Sequence, residues 1–280
     1  MLSTKICKAV NQLFPLPVHP FNLQNDGIKT YAEWQFEKGE QTIQFFLEKT
    51  TAHEMFYHKT VLDIGCGAGG KTLYYASKGV KKIYGVDVVE KYQNEAETLA
   101  ETKGLADKFE FVLGDAANLN FDDNFFDTII MNDAMEHVAQ PLDVLKECYR
   151  ILKPSGRLYV NFPPYHHPYG AHLSDVIGIP WVHLFFSDKT LIQVYKELAK
   201  KHPDGEERIR FRISKDTNGK EYFSYINKMT VKKAANIVKQ TGYKIIYYRE
   251  VPLRQIFKPL IHIPGIKEAF VKMVVYILEK

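Results

Sequence analysis

The residue types best suited to chemistry begin in one stretch, Val61-Leu62-Asp63-Ile64-Gly65-Cys66-Gly67-Ala68-Gly69-Gly70-Lys71-Thr72. Apolar residues up to Ile64 predict a buried strand that breaks into a glycine-rich turn and enters a helix near Lys71. Glycines permit a tight turn and let a ligand approach the backbone closely. The helix start offers free N–H groups and the positive end of the dipole to an anionic ligand group. A nucleotide-binding dehydrogenase carries a similar turn, so the turn alone leaves the ligand open. Two acids narrow the choice: Asp63, two residues before the first glycine, and Asp87, at the end of the next predicted strand. A second group is rich in imidazole: His166, His167, His172 and His183, with Asp175 among them. Such a set either ligates a cation or, with Tyr165, Tyr169 and Trp181, forms a polar aromatic wall. The three cysteines, Cys7, Cys66 and Cys148, are scattered and show no Cys-x-x-Cys spacing. That argues against a disulfide framework and a structural zinc site and fits a reducing compartment.

These groups need a scaffold, and the hydrophobic pattern supplies one. Strands are expected at residues 61–64, 82–86, 109–113, 126–131 and 157–162, with helices at 72–78, 90–103 and 141–152 between them. Alternating strands and helices imply right-handed crossovers and a parallel sheet covered on both faces. The rhythm stops at Pro163, and residues 163–230 are too many for a plain loop, so they read as an insertion or cap with a helix at 188–201. It resumes with a helix at 231–240, a strand at 243–248 and a last strand at 271–278. Ahead of the first strand, Trp34, Phe36, Ile43, Phe46 and Leu47 predict one or two amphipathic helices that could fold over the glycine turn. Residues 1–26, rich in Pro and Asn, read as an irregular arm or short helix followed by extended chain. The expected divisions are therefore 1–58 (arm and cap), 59–162 (core), 163–230 (insertion) and 231–280 (terminal helix and strands). With 280 residues, 45% hydrophobic and 25% charged, the chain has an ordinary globular composition. A formal charge of +4 and a pI near 8.7 fit a weak attraction to anionic lipid or nucleic acid, and equally a solvated mixed-charge surface. The first residues lack a signal-peptide pattern, and no apolar run reaches the roughly 18 residues of a membrane span. The expected location is the cytoplasm, free or at the periphery of a membrane.

Taken in order, the turn from Asp63 to Gly70, Asp87, Gly114-Asp115, the strand Phe126-Asp127-Thr128-Ile129-Ile130-Met131-Asn132-Asp133, and Glu136-His137-Val138 through Pro141-Leu142 to Leu152-Lys153-Pro154-Ser155-Gly156-Arg157-Leu158 resemble the class I S-adenosylmethionine-dependent methyltransferases. The similarity is to the group that includes the ubiquinone and menaquinone biosynthesis enzymes, and it covers about residues 60–162. It implies a doubly wound, seven-stranded, mostly parallel Rossmann-like α/β sheet with an N-terminal helical cap and an insertion after strand five. It also implies S-adenosyl-L-methionine as cofactor. Asp63, Gly65, Cys66 and Gly67 would then lie along the methionine moiety, Asp87 and Val88 at the ribose, and Asp115 and Ala116 at the adenine. Asn132 and Asp133 would stand where donor meets acceptor. Against a nicotinamide, the turn reads Gly-x-Gly-x-Gly-Gly and carries Asp63.

Methyl transfer is an in-line displacement on an already activated donor, so positioning supplies much of the rate. An oxygen acceptor also needs a base, and His137 is the first candidate, with Asp133 beside it; a His that only packs or caps the turn is the alternative. In the quinone O-methyltransferases a similar acidic-x-x-Glu-His group is associated with a divalent cation. Asp133, Glu136 and His137 are weak candidates for that here because Asp reaches less far than Glu, and a divalent metal is not expected. By the same resemblance, Tyr165, His166, His172 and His183 would face the acceptor. Residues 254–272, apolar and basic, either dock on a lipid surface or pack as a core connection. No Asn-Pro-Pro-Tyr ends the fourth strand and no dense Lys/Arg run occurs, which argues against a nucleic-acid substrate. The expected function is methyl transfer to a small-molecule or lipid-like acceptor. A non-catalytic cofactor-binding subunit and a macromolecular acceptor stay open, as does the oligomeric state.

Overall fold

The computed structural model describes residues 2–17, 19, 22 and 30–280. Seven strands build the main sheet: β1 (Thr60–Ile64), β2 (Lys82–Asp87), β3 (Phe109–Leu113), β4 (Phe126–Asn132), β5 (Leu152–Phe162), β8 (Lys244–Pro252) and β9 (Val271–Glu279). Their order is β3-β2-β1-β4-β5-β9-β8, and β9 runs antiparallel to both its neighbours. This is the doubly wound sheet expected. The chain steps from β1 to one side and later from β4 to the other. A crevice therefore opens beyond the carboxyl ends of β1 and β4, where such folds take their ligands. The glycine turn follows β1 and Asp133 follows β4, so the order of strands brings the two together.

Burial explains the elements. β1 is buried along its whole length, as a central strand covered on both faces must be. One face packs on the helices Pro141–Ile151 and Val231–Val238, through Val144, Leu145, Ala234 and Val238 among others. The other packs on helices Gly70–Ala76 and Lys91–Thr102 and on Ile43, Phe46, Met55 and Phe56 of the N-terminal cap. The insertion has its own core, including Leu191, Val194 and Tyr195 of helix Asp188–Ala199, and Cys7 of helix Leu2–Asn11 joins it.

Several boundaries differ from expectation. β5 begins at Leu152 because that residue pairs with Phe126, and a register shift before Thr128 absorbs the turn at Ser155. β8 continues to Pro252 because β9 offers partners that far. Pattern reading missed helix Ala52–Phe56, a short element held by a capping box between Thr51 and Glu54. It also missed helix Gly205–Arg212 and the small hairpin of β6 (Ile213–Lys215) and β7 (Glu221–Phe223). Of the extended stretch expected up to residue 26, residues 18, 20, 21 and 23–26 lie outside the described residues. Among the described residues, no helix is long and apolar enough to cross a membrane.

Candidate active site

The chain leaves β1 through Gly65, Gly67 and Gly69, with φ of 75°, 52° and 79°. A side chain at Gly65 would meet Ala134 Cβ at 2.8 Å and one at Gly69 would meet Ala96 Cβ at 2.8 Å, but one at Gly67 would find nothing within 4 Å. The turn is thus packed at its ends and open in the middle. Asp63 lies beneath it, 2% exposed, and accepts a hydrogen bond from Thr72 Oγ1 at 2.6 Å. Burial raises its carboxyl to about 7, against the pull of that bond. Asp87 accepts the Gly67 N–H on Oδ2 (2.9 Å) and the Val89 N–H on Oδ1 (3.0 Å). Each oxygen keeps a lone pair for an outside donor. Val88 beside it is exposed. Cys66 packs on β2, where a Cβ at Gly85 would lie 2.9 Å from its sulfur, and burial pushes its thiol up, so it is no nucleophile. Asp115 is exposed and accepts the Ala117 N–H on Oδ1 at 2.9 Å; Ala116 is buried.

Across the crevice, the Asn132 amide donates to Thr42 O and to the Tyr75 hydroxyl, both at 3.0 Å, so its side chain ties the N-terminal cap to the sheet. Asp133, at φ 54°, turns its carboxylate to Lys71 at 3.0 Å, and Lys71 also donates to Asn132 O at 3.1 Å. Burial works against the Lys71 charge, but Asp133 together with Tyr31 and Tyr75 outweighs it, and the ammonium is held above its ordinary pKa. Helix Tyr31–Glu37 closes down on this point: a Cβ at Gly70 would lie 2.2 Å from Ala32 O.

Behind Asp133 sits a cluster the insertion completes. Glu136 is 3% exposed and neither carboxylate oxygen has a hydrogen-bond partner. Its Oε1 lies 3.8 Å from His137 Nε2 and 3.9 Å from His172 Nε2. Burial drives the Glu136 carboxyl well above its ordinary value, and the Asp133 charge adds to the effect. His137 Nδ1 meets the Tyr225 carbonyl at 2.8 Å, a bond that only the Nδ1–H form can donate. Its Nε2 is then left as an acceptor. Burial lowers His137 to about 4 although a third of its side chain still reaches solvent, and burial with the neighbouring His137 lowers His172 well below its ordinary value. Both imidazoles are neutral at pH 7. Asn227 clamps the same loop by donating to Met135 O and Val138 O, each at 2.8 Å.

His172 is therefore the member of the predicted acceptor group that reaches His137, at 4.9 Å between rings. Tyr165 contacts His166 and His183 instead, and His166 faces Glu268 at 3.5 Å. Asp175, grouped with the histidines by sequence, is an ion-pair partner of Arg208 and Arg212. Sequence reasoning passed over Tyr225 and Asn227, which lie 88 residues or more from the groups they hold. It also passed over Lys71, whose place at the start of a helix facing Asp133 was the available signal.

The family profile described as a methyltransferase domain matches residues 62–160. Over that segment, about a third of the chain, the protein is similar to methyltransferase domains. Among curated relatives, a sterol 24-C-methyltransferase of Pneumocystis carinii is 36% identical over 104 residues, 37% of this chain and 27% of that protein. A chloroplastic tocopherol O-methyltransferase of Arabidopsis thaliana is 31% identical over 144 residues, 51% of this chain and 40% of that protein. The chain thus matches well under half the length of these relatives. A solved S-adenosylmethionine-dependent methyltransferase from Methanosarcina mazei superposes with a TM-score of 0.50 at 23% identity, over 81% of this chain and 95% of the other, a likeness of fold.

Proposed function

We propose that the protein transfers a methyl group from S-adenosylmethionine to a small-molecule or lipid-like acceptor. The observation that carries this reading is the neutral His137, with Nδ1–H donated to Tyr225 and Nε2 left as acceptor, beside Asp133 at the switch point opposite an open glycine turn. The relatives' names, sterol and tocopherol methyltransferases, support a lipid-like acceptor.

The residues present fit the cofactor. The open space over Gly67 would take its backbone-facing part, and the spare lone pairs of Asp87 suit a pair of ribose hydroxyls. Asp115, with Oδ2 to spare beside buried Ala116, would meet the base. When bound, the sulfonium supplies an activated methyl group. The chain's own part is to orient the acceptor and remove its proton. His137 Nε2 is the base, and Tyr225 fixes its tautomer. Asp133 and Lys71 hold the turn around them, and residues 163–230 are the acceptor cap, with His172 the nearest of the predicted wall residues.

A second reading rests on the buried, unpartnered oxygens of Glu136. Ligand atoms of Glu136, His137 and His172 lie within 4.8 Å of one another, an oxygen and two nitrogens of a kind that Zn²⁺ or Mn²⁺ accepts. A cation there would lower the pKa of an acceptor hydroxyl. Calorimetric titration of chelator-treated protein with each ion separates this reading from the metal-free one expected from the sequence.

The deciding experiment incubates the protein with methyl-labelled cofactor and extracted metabolites and lipids. Label entering the organic extract is the expected outcome. Label confined to protein or RNA sinks the small-molecule reading, and cofactor binding without any transfer favours a non-catalytic subunit.

A further inference from the structure

Between the edge strand β8 and helix Val231–Val238 lies a groove of about 740 Å³, lined by Val231, Ala235, Val238, Ile245 and Tyr276 among others. Its volume is that of a cavity for a drug-sized ligand, and an apolar lining with a few polar groups is the usual character of such a site. Of the two carboxylates in its wall, Glu250 pairs with Lys267 at 2.7 Å and Glu268 lies 3.5 Å from His166, and the second oxygen of each is buried without a hydrogen-bond partner. Lys232 and Lys239, both exposed, stand at its rim.

The strap that roofs this groove, residues 253–270, joins β8 to β9 through three 3-10 turns. Its inner side is anchored by buried Ile261 and by Phe257 against Phe270, ring centres 5.4 Å apart. Its outer side presents Ile256 at 78% exposure, Ile263 at 44% and Ile266 at 47%. Arg254 and Lys258, which flank Ile256 in the chain, are exposed, as is Lys272 at the start of β9. An anchored strap that exposes isoleucines beside cations, next to an apolar groove with lysines in its lining, complements one kind of surface. Hydrocarbon answers the isoleucines and the groove, and anionic headgroups answer the cations.

We propose that residues 253–272 dock on an anionic phospholipid bilayer and that the groove beneath them receives one hydrocarbon chain drawn from it. This goes beyond the methyl-transfer reading. Because the test reads binding and not turnover, failure of one is distinguishable from failure of the other.

The test is flotation of the full chain with vesicles of phosphatidylglycerol and phosphatidylcholine at low salt, beside vesicles of phosphatidylcholine alone. The protein is expected to float with the mixed vesicles, to be released at high ionic strength, and to stay behind with phosphatidylcholine alone. The triple variant I256S/I263S/I266S alters only exposed side chains and is expected to bind at least about 10-fold more weakly while keeping its melting temperature and cofactor affinity. The pair K232E/K239E is expected to weaken binding by a similar order through charge. Wild type that stays behind with anionic vesicles at low salt overturns the proposal. So does a triple variant that floats as wild type does, and so does equal flotation with neutral vesicles.

Discussion

At the scale of single residues, the site depends on groups whose protonation is set by burial. His137 is neutral at pH 7 and bound at Nδ1, so it has one accepting nitrogen and no proton to lose first. Replacing it with Gln keeps a hydrogen-bonding side chain and removes the proposed base. The expected result is a fall in kcat of about 10²- to 10⁴-fold with cofactor affinity unchanged, measured as S-adenosylhomocysteine release once an acceptor is in hand. Asp63 makes a different prediction. Its folded-state pKa is raised to about 7 from 3.8. The folded protein therefore holds a proton that the unfolded chain releases, and the stability this contributes is full below about pH 4 and lost as pH rises through 7. Asp63→Asn removes that dependence. Urea unfolding of wild type and variant at pH 4 and pH 8 should show their difference shifting against wild type by an amount on the order of 4 kcal/mol. A difference independent of pH would mean that Asp63 is ionised in the folded state throughout.

At the scale of elements, what was legible in the sequence is what local order determines. Strand, glycine turn and helix follow one another within a few residues, so Asp63, Gly67 and Asp87 could be located by spacing alone. The end of β4 could be located the same way, because Asp133, Glu136 and His137 share one turn. Tyr225, Asn227 and the approach of His172 could not, because the contacts that matter join distant parts of the chain and leave no period behind. Tyr165, His166 and His183 were equally plausible by composition, and only the path of the chain separates them from His172. The cap shows the same divide. Its helices were expected from Trp34, Phe36 and Ile43, but its seat on the glycine turn depends on Gly70, where a Cβ would lie 2.2 Å from Ala32 O and 2.7 Å from Gln35 Cβ. Gly70→Ala is therefore expected to lift helix Tyr31–Glu37 from the turn. The cost should be about 1–3 kcal/mol, as for other overpacked sites, with faster proteolysis between residues 30 and 50 and weaker cofactor binding. Calorimetry and limited digestion check it; an unchanged digest would mean that the cap is not held at this point.

At the scale of the whole molecule, the insertion and the core meet at the 133–138 loop, and one buried charge network holds the insertion in shape. Asp175 is fully buried, with Arg208 Nη1 at 3.4 Å, Arg212 Nη2 at 3.2 Å and the Tyr195 hydroxyl at 2.8 Å. Asn22 of the N-terminal arm joins the network by accepting from Arg208 at 3.0 Å. Arg212 also donates to His172 O at 3.1 Å, and Tyr225, whose hydroxyl donates to the same oxygen at 2.7 Å, carries the carbonyl that fixes His137. The network thus leads from the centre of the insertion to His137. Asp175→Asn keeps the shape and removes the charge that Arg208 and Arg212, each 2% exposed, share, while Arg208 keeps Asp204 at 2.9 Å. Breaking a buried pair in this way costs about 3–5 kcal/mol. The seven-stranded sheet packs on two clusters distinct from that of the insertion, so the loss is expected to be local. Hydrogen exchange is expected to quicken across residues 170–226 while β1, β4 and β5 keep their protection. Cofactor affinity should hold, because the glycine turn, Asp87 and Asp115 all lie in the core, and methyl transfer should fail, because His172 and Tyr225 no longer frame His137. Loss of cofactor binding together with transfer would show instead that insertion and core unfold as one unit.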